Sequence, residues 1–160
     1  CNPFYETTNN LGSLWLALPY LEDSNFLYLH SDIIYHENIL SNLLEKPQKS
    51  SIELVVDYSA VDDEAMKVRV ENGVFVESNK SVPIEQAVGE WIGIARIGKE
   101  IIPELIAVGD SILLSQQYQQ YDTAAFNRLA EREIANFNII STEGLPWAEV
   151  DTEIDLESAK

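Results

Sequence analysis

Two acidic residues near the end of the chain have the spacing of a metal-binding pair. Glu149 and Asp151 flank Val150, so on a strand both carboxylates would lie on one face and Val150 on the other. Asp32 closely follows the apolar segment 26–30, a predicted strand, and ligands of open α/β sheets collect beyond the carboxyl ends of the strands. Such oxygen ligands suit Mg²⁺, which binds substrate phosphates. We therefore expect the three carboxylates to converge at one end of the sheet.

Each of these carboxylates also has a simpler interpretation. Asp is common in turns and at helix caps, so Asp32 could serve only as a cap before Ile33. Glu149 and Asp151 could equally face water from a solvated edge strand. Asp155 is predicted to cap the last helix, where the helix dipole favours acidic groups.

Other kinds of catalytic chemistry find little support in the sequence. Neither His30 nor His36 has a second histidine at zinc-ligand spacing. Gly89 and Gly93 do not form a phosphate-binding loop pattern, and there is no nucleophile elbow. Cys1 is the only cysteine, which excludes a disulfide framework within the chain and a thiolate metal cluster and favours a cytoplasmic location.

The elements that must position the acidic residues alternate in the first part of the chain. Asn9 and Asn10 precede apolar residues at helical spacing up to Leu21, and a second helix is predicted around 39–44. The segments 26–30 and 52–57 are predicted strands. Helix, strand, helix, strand predicts an α/β layer structure with a largely parallel sheet.

The second part of the chain adds a hairpin, a long strand and two helical regions. Asn72-Gly73 separates two alternating segments and is the preferred sequence of a type I′ turn. Further strands are predicted at 91–96, 137–140 and 148–151, and helices at 99–118, interrupted near Pro103 and Gly109, and at 123–136. With no linker visible, residues 1–160 are predicted to form one domain.

Composition restricts the partners. The chain has 160 residues, 46% of them hydrophobic, and a formal charge of −17, which disfavours nucleic acid because phosphates are bound through Lys and Arg. A divalent cation can still bridge carboxylates to a single nucleotide. The sequence shows neither a membrane span nor a signal peptide. Since it starts at Cys1 and stops within a predicted helix, we expect a fragment.

Four stretches together resemble the bacterial phosphocholine and phosphonate cytidylyltransferases, within the sugar-phosphate nucleotidyltransferase superfamily. They occur in the family's order and are NPFYETTNNLGSLWLA (2–17), LHSDIIYHENIL (29–40), ESNKSVPIEQAVGEWIGIARI (77–97) and LPWAEVDTEIDLESA (145–159). The resemblance implies a Rossmann-like, GT-A-like α/β fold with a mixed sheet flanked by helices. It also implies CMP transfer from CTP, or from another nucleoside triphosphate, to a small phosphate or phosphonate such as phosphocholine.

The resemblance also assigns roles to individual residues. It implies that Asp32, Glu149 and Asp151 bind Mg²⁺, with Asp32 and Asp151 catalytic together with Lys80. Lys80 precedes the G-E-x-x-G-I segment and would hold the acceptor's phosphate; without the resemblance it would be an exposed loop lysine. Asn10, at the start of the first helix, would line the nucleotide pocket unless it serves only as the cap.

The chain departs from the family at its N-terminus. The family's G-x-G-x-R loop, which binds the triphosphate, has no counterpart, and Lys and Arg total only 10. The fold is therefore expected to be incomplete at the N-terminus and the isolated chain to be inactive or weak. The uncovered strand edge predicts self-association, with a homodimer as one form.

The acceptor is expected to carry a cationic head group. Glu90, in the G-E segment, and Tyr121, at a helix break, are the predicted contacts, with Trp91 and Tyr118 nearby. The commoner outcome for such aromatic residues is packing in the core.

Two other functions compete with the cytidylyltransferase prediction. One is activity on sugar phosphates, and the other is a non-catalytic regulatory module, against which the retained carboxylates argue. A related glycosyltransferase would need an Asp-x-Asp motif, which Ser31-Asp32-Ile33-Ile34 does not provide.

Overall fold

A six-stranded mixed sheet forms the centre of the structure, a computed structural model that describes residues 1–21 and 23–158. The strands are β1 Phe26–Leu29, β2 Ile33–Tyr35, β3 Ile52–Asp57, β4 Lys67–Glu71, β5 Val74–Asn79, β6 Gly89–Ile97, β7 Phe137–Ser141 and β8 Trp147–Glu149. The helices are α1 Asn10–Ala17, α2 Glu37–Glu45, α3 Ile102–Leu114, α4 Thr123–Glu131 and α5 Glu153–Ser158. None of the helices in the described part of the chain is long and apolar enough to cross a membrane.

The sheet is built around β6. The order is β5-β4-β6-β3-β7, and β1 also pairs with β6, along Ile94 to Ile97. Because β3 contacts the same residues of β6 from the other side, β1 and β4 share one side of this strand. Among the described strands only β3 and β7 pair in parallel, so the prediction of a largely parallel sheet is wrong. β1 and β3 do run in the same direction, but β6 lies between them.

The predicted hairpin is confirmed. Glu71 pairs with Val74 across the turn, and β4 and β5 are antiparallel. Asn72 has φ 51° and Gly73 has φ 80°, the left-handed conformation that a type I′ turn requires at both positions.

A separate two-stranded ribbon, the β2–β8 ribbon, was only partly foreseen. β2 was not predicted, since the sequence indicated a turn or cap at Asp32. The two strands are antiparallel, with Ile33 opposite Glu149 and Tyr35 opposite Trp147. β8 ends at Glu149, two residues earlier than predicted.

Of the two interruptions predicted in the helical region 99–118, the one near Pro103 corresponds to a change of helix type, since 99–101 form a 3₁₀ turn and α3 begins at Ile102, whereas the one near Gly109 is wrong. Pro103 lies in the first turn of α3, where its missing N–H costs nothing, and the helix continues through Gly109. A Cβ on Gly109 would lie 2.6 Å from Cδ1 of Trp15, so glycine there allows α1 to approach α3. The helix ends at Leu114 instead of Tyr118, and α4 ends at Glu131.

The last helix begins with a capping box. The Asp155 carboxylate accepts the backbone N–H of Thr152 at 2.8 Å, and the Thr152 hydroxyl accepts the N–H of Asp155 at 3.3 Å. Asp155 thus caps α5 from inside its first turn. The predicted continuation over Ala159 and Lys160 lies outside the described residues.

Both faces of the sheet are covered. On one face, apolar residues of α1, α3 and α4 pack on Leu54, Trp91 and Ala95. On the other face, α2 and the β2–β8 ribbon pack on Val55 and Ile94. The second face also buries an ion pair in which Nε of Arg96 donates to the Glu53 carboxylate at 2.7 Å.

Gly109→Ala should lower the free energy of unfolding by about 1–3 kcal/mol, because the added methyl group would force Trp15 and α3 apart. Chemical denaturation followed by circular dichroism measures the change. Ser111→Ala, at an exposed site on the same helix, should change stability by no more than about 0.5 kcal/mol. A Gly109→Ala chain of native or higher stability would show that the helix propensity of Ala outweighs this contact.

Candidate functional site

A cavity of about 310 Å³ lies in the gap between the end of β1 and the start of β4, beside residues 91–93 of β6. Its walls come from α1, the strand ends and the loops that follow them. Every residue singled out from the sequence as a metal, nucleotide or acceptor contact lines this cavity: Asn10, Asp32, Lys80, Glu90, Tyr121, Glu149 and Asp151.

The three predicted metal ligands converge. Each of Asp32, Glu149 and Asp151 offers a carboxylate oxygen, and these oxygens all lie within 4.8 Å of one another. This confirms the expected convergence, although Asp32 is more than 110 positions from the pair. Two oxygens that bind one Mg²⁺ lie at most about 4.2 Å apart, so small side-chain rotations would let this set accept the ion. Their role as metal ligands stays a prediction.

The backbone brings the three carboxylates together in a different way from the one predicted. Glu149 is placed by its pairing with Ile33 in the ribbon, and the N–H of Val150 donates to the carbonyl of Asp32 at 2.7 Å. Asp151 lies beyond the strand, so alternation does not place it. Its N–H donates instead to the carboxylate of Asp155 in the α5 cap, at 3.2 Å.

Crowding of like charges changes the acidity of the cluster. Burial in the cavity raises the pKa of the Glu149 carboxyl, and the charges of Asp151 and Asp32 raise it further, whereas His30 and Lys80 act in the opposite direction. A bound cation would remove this repulsion. The arrangement therefore favours a divalent metal ion electrostatically as well as in its choice of ligands.

Lys80 is the only lysine or arginine among the described residues that line the cavity. It follows β5, and its ammonium is 3.2 Å from the carboxylate of Glu64 and 5.9 Å from the ring centre of Tyr121. Partial burial would lower the pKa of Lys80, but the hydrogen bond to Glu64 and the nearby Tyr121, Glu64 and Glu149 raise it overall. Lys80 thus supplies a positive charge to the cavity wall, and its role toward an acceptor stays a prediction.

The candidate head-group contacts differ in what they offer a ligand. Glu90 is half-buried and accepts the N–H of Met66 at 3.2 Å. Burial raises the pKa of its carboxyl, as do the charges of Glu149, Asp62 and Asp57. Tyr121 is 39% exposed, so part of its ring is accessible.

The two other aromatic residues considered from the sequence differ in place: Trp91 lies in the wall of this cavity, and Tyr118 does not. Trp91 is only 2% exposed and donates its indole N–H to the carbonyl of Ile94 at 2.9 Å, so it packs mainly in the core. Tyr118 lines a separate apolar groove beside Trp15.

His30 is a cavity residue that the sequence argument missed. Its Nε2 is 2.9 Å from the carboxylate of Asp122, which is fully buried and also accepts the N–H of Thr123 at the start of α4. Burial would lower the pKa of His30, but the hydrogen bond to Asp122 and the charges of Asp122, Asp32 and Glu149 raise it overall. The spacing of the histidines argues only against a zinc site, but the position of His30 at the same strand end as Asp32 is a sequence signal for this cavity.

The helix cap and the candidate nucleotide contact are two different residues. Asn9 caps α1, since its side chain accepts the N–H of Asn10 at 2.7 Å. The side-chain oxygen of Asn10 accepts the backbone N–H of Asp122 at 2.9 Å, which turns its NH₂ group toward His30. Asn10 is therefore free of the capping role.

The chain was compared with known protein families, curated proteins and solved structures, and only solved structures are similar to it. No family model and no curated protein matches the chain. Among solved structures, the inositol-1-phosphate CTP transferase of T. maritima is similar with a TM-score of 0.77 at 18% identity, over 96% of this chain and 60% of that one. The CTP:phosphocholine cytidylyltransferase of Streptococcus pneumoniae gives 0.71 at 15% identity, over 98% and 64%. A putative glucose-1-phosphate thymidylyltransferase of Bacillus anthracis gives 0.70 at 16% identity, over 96% and 60%.

The chain has the nucleotidyltransferase fold. The predicted fold class is therefore confirmed, including the mixed sheet flanked by helices. The chain spans about 60% of the length of the nucleotidyltransferases to which it is similar.

Glu149→Gln should stabilise the metal-free chain at pH 7–8, because it removes one of three crowded charges. The folded pKa of Glu149 is raised, so its ionised form costs stability above that pKa, and the cost is relieved as pH falls through it. The gain in melting temperature should thus be largest at pH 7–8 and vanish near pH ~4.3, the ordinary pKa of Glu. Melting curves in EDTA for Glu149→Gln and for Glu85→Gln, away from the cavity, measure this. A pH-independent loss of stability in Glu149→Gln would contradict it.

Proposed function

We propose that this chain forms the metal-binding and acceptor-binding side of a nucleotidyltransferase that transfers CMP from CTP to a small phosphate or phosphonate such as phosphocholine. The observation that carries the proposal is the convergence of three carboxylates within 4.8 Å in the cavity that also contains Lys80. An acidic cluster beside a single cation suits a metal-bound nucleotide and an anionic acceptor.

In the proposed reaction, an oxygen of the acceptor's phosphate attacks the α-phosphorus of CTP in line. A new P–O bond forms, the bond from the α-phosphorus to the bridging oxygen breaks, and pyrophosphate leaves with that electron pair. No covalent enzyme intermediate is needed. The products are pyrophosphate and a CDP-linked or CMP-linked head group.

The residues of the chain take the following roles in this proposal. Asp32, Glu149 and Asp151 bind Mg²⁺, which when bound neutralises charge on the phosphates. Lys80 holds the acceptor phosphate and exchanges its present partner, Glu64, for it. Asn10, with its NH₂ group beside His30, contacts the nucleotide.

The cationic head group is the finer part of the proposal. Glu90 and Tyr121 line the cavity with Lys80 and offer a half-buried carboxylate and a partly exposed aromatic ring. A quaternary or primary ammonium is well matched to such groups. The phosphocholine cytidylyltransferase among the similar structures supports this choice.

A sugar phosphate is the second candidate acceptor, favoured by the similarity to the glucose-1-phosphate thymidylyltransferase. A non-catalytic regulatory module is disfavoured because the carboxylate cluster is retained.

The properties of the protein as a whole are also proposals. We propose one nucleotidyltransferase domain over 1–160, a cytoplasmic location, and self-association, with a homodimer as one form. The described residues of the cavity include no Gly-rich loop and only one lysine, so this chain alone should be inactive or weakly active.

Asp32→Asn should weaken binding of Mn²⁺, a spectroscopic substitute for Mg²⁺, by about tenfold or more, because it removes one of three ligands. Free Mn²⁺ measured by electron paramagnetic resonance gives the affinity. In the protein that contains this domain, the same change should lower CTP-dependent pyrophosphate release by about 100-fold or more.

Asp23→Asn, an exposed acidic residue outside the cavity, serves as the control for charge. Equal Mn²⁺ binding by the native chain and Asp32→Asn would rule out the metal site.

Lys80→Ala should weaken phosphocholine binding in the presence of Mg²⁺ by about 10- to 100-fold, since one charge-assisted hydrogen bond is lost.

Tyr121→Leu should weaken the binding of phosphocholine by about 2- to 30-fold and leave the binding of glucose 1-phosphate unchanged, because only phosphocholine has a cation that can contact the ring. Isothermal titration calorimetry measures both. Lys99→Ala, on the surface away from the cavity, is the matched control. A preference of the native chain for glucose 1-phosphate would exclude the cationic head group.

A further inference from the structure

The β2–β8 ribbon carries the proposed metal site but is not paired with the main sheet in the described part of the structure. Asp32 precedes β2 and follows β1, so it is held by the main sheet as well. Glu149 and Asp151 belong to β8 and the residues after it. Their position relative to Asp32 therefore depends on what fixes β8.

Apolar packing alone does not define that position well. Ile33, Tyr35 and Trp147 of the ribbon pack beside Val55 and Ile94 on one face of the sheet. Such contacts are non-directional, so they hold the ribbon against the sheet without fixing its rotation. A directional bond is needed to fix the orientation.

Asp57, at the carboxyl end of β3, makes that directional contact. Its Oδ2 accepts the indole N–H of Trp147 at 3.1 Å, and its Oδ1 accepts the hydroxyl of Thr142 at 3.0 Å. Ser59 donates a third hydrogen bond, at 2.6 Å. Trp147 is two residues before Glu149 on β8, so the two side chains share a face of the strand.

The same carboxylate also fixes the loop that leads into β8. Thr142 follows β7, and its N–H donates to the carbonyl of Val56 at 3.0 Å. The loop then runs to Trp147, so Asp57 binds a residue at each end of it. Asp57 is not one of the clustered carboxylates among the described residues.

Asp57 is well suited to accept all three hydrogen bonds. Burial would raise the pKa of its carboxyl, but the hydrogen bonds from Ser59, Trp147 and Thr142 outweigh this and lower it. At neutral pH it is a carboxylate with two acceptor oxygens, both in use. When a residue that orients metal ligands without binding the metal itself is removed, the metal affinity falls by about 10- to 100-fold.

We propose that Asp57 is a positioning residue for the metal site: its bond to Trp147 fixes β8 and thereby aims Glu149 and Asp151 at the ion that they share with Asp32. This inference rests on the proposed function, because it assumes that the three carboxylates bind a divalent cation. Asp57 and Trp147 would thus affect the metal affinity without contacting the metal.

Trp147→Phe is the decisive variant. It removes the indole N–H donor and reduces the ring volume, a loss that a matched Trp→Phe control can account for, but it keeps an aromatic ring in the apolar cluster and leaves the charge of Asp57 in place. The affinity of the chain for Mn²⁺ alone should fall by about tenfold or more, measured well below the melting temperature. Asp57→Ala, which removes both acceptor oxygens, should also weaken Mn²⁺ binding, and the double variant should bind as Asp57→Ala does, since both changes break the same hydrogen bond to Trp147.

The chain contains a matched control. Trp15 donates its indole N–H to Asp110 at 2.9 Å, the same type of bond, beside the separate apolar groove. Trp15→Phe and Asp110→Ala should therefore reduce stability to a similar degree and leave Mn²⁺ affinity unchanged.

The possible outcomes separate this inference from the proposed function. If the native chain binds Mn²⁺ more tightly than Asp32→Asn but Trp147→Phe binds like the native chain, the positioning role is wrong and the metal site stands. A loss of affinity in Trp15→Phe equal to that in Trp147→Phe would also overturn it, since general destabilisation would then explain both. If the native chain and Asp32→Asn bind Mn²⁺ equally, the metal site fails and the role of Asp57 fails with it.

Discussion

The architecture depends on how β6 satisfies its backbone hydrogen bonds. This nine-residue strand pairs with β3 on one side, while on the other side β1 pairs with one end and β4 with the other. Between the two ladders, only single bonds continue the pairing on that side: the N–H of Trp91 donates to the carbonyl of Met66 at 3.0 Å, and the carbonyl of Gly93 accepts the N–H of His30 at 2.9 Å. The cavity opens at this gap, so the side chains at the end of β1 and the start of β6 face a common space.

The second constraint is electrostatic. Three carboxylates within 4.8 Å of one another repel, and Lys80, the only lysine among the described residues of the cavity wall, is already paired with Glu64. The cluster is therefore held together by backbone bonds and by the α5 cap, at the expense of stability in the metal-free chain. Such an arrangement is expected where acidic groups serve to bind a cation and do not serve to stabilise the fold.

The ribbon connects these two constraints. It carries Glu149 beside Ile33, and its only described ladder is the one between its own two strands. Attachment to the rest of the molecule passes through apolar side chains and through Asp57. A site built on a small, separately attached ribbon can adjust to a ligand more easily than one built on the central sheet, because fewer main-chain bonds oppose the movement.

What the sequence determined by itself was local. Asn72-Gly73 specified its turn because both positions tolerate positive φ, and Asn9 specified the start of α1 through its side-chain oxygen. The resemblance to nucleotidyltransferases, spread over four stretches, was enough to predict the fold and a set of cavity residues.

Tertiary structure decided what depends on distant partners. The direction of β6, the continuity of α3 through Gly109 and the existence of β2 follow from contacts with strands and helices far away in the chain, which local propensity does not contain. The roles of Asp57 and His30 could not be predicted for the same reason. A single Asp or His forms no recognisable sequence motif, and only the fold brings Trp147 to Asp57 and Asp122 to His30. Acidic residues at the right spacing were visible in the sequence, but their approach to within 4.8 Å required the β2–β8 ribbon to form.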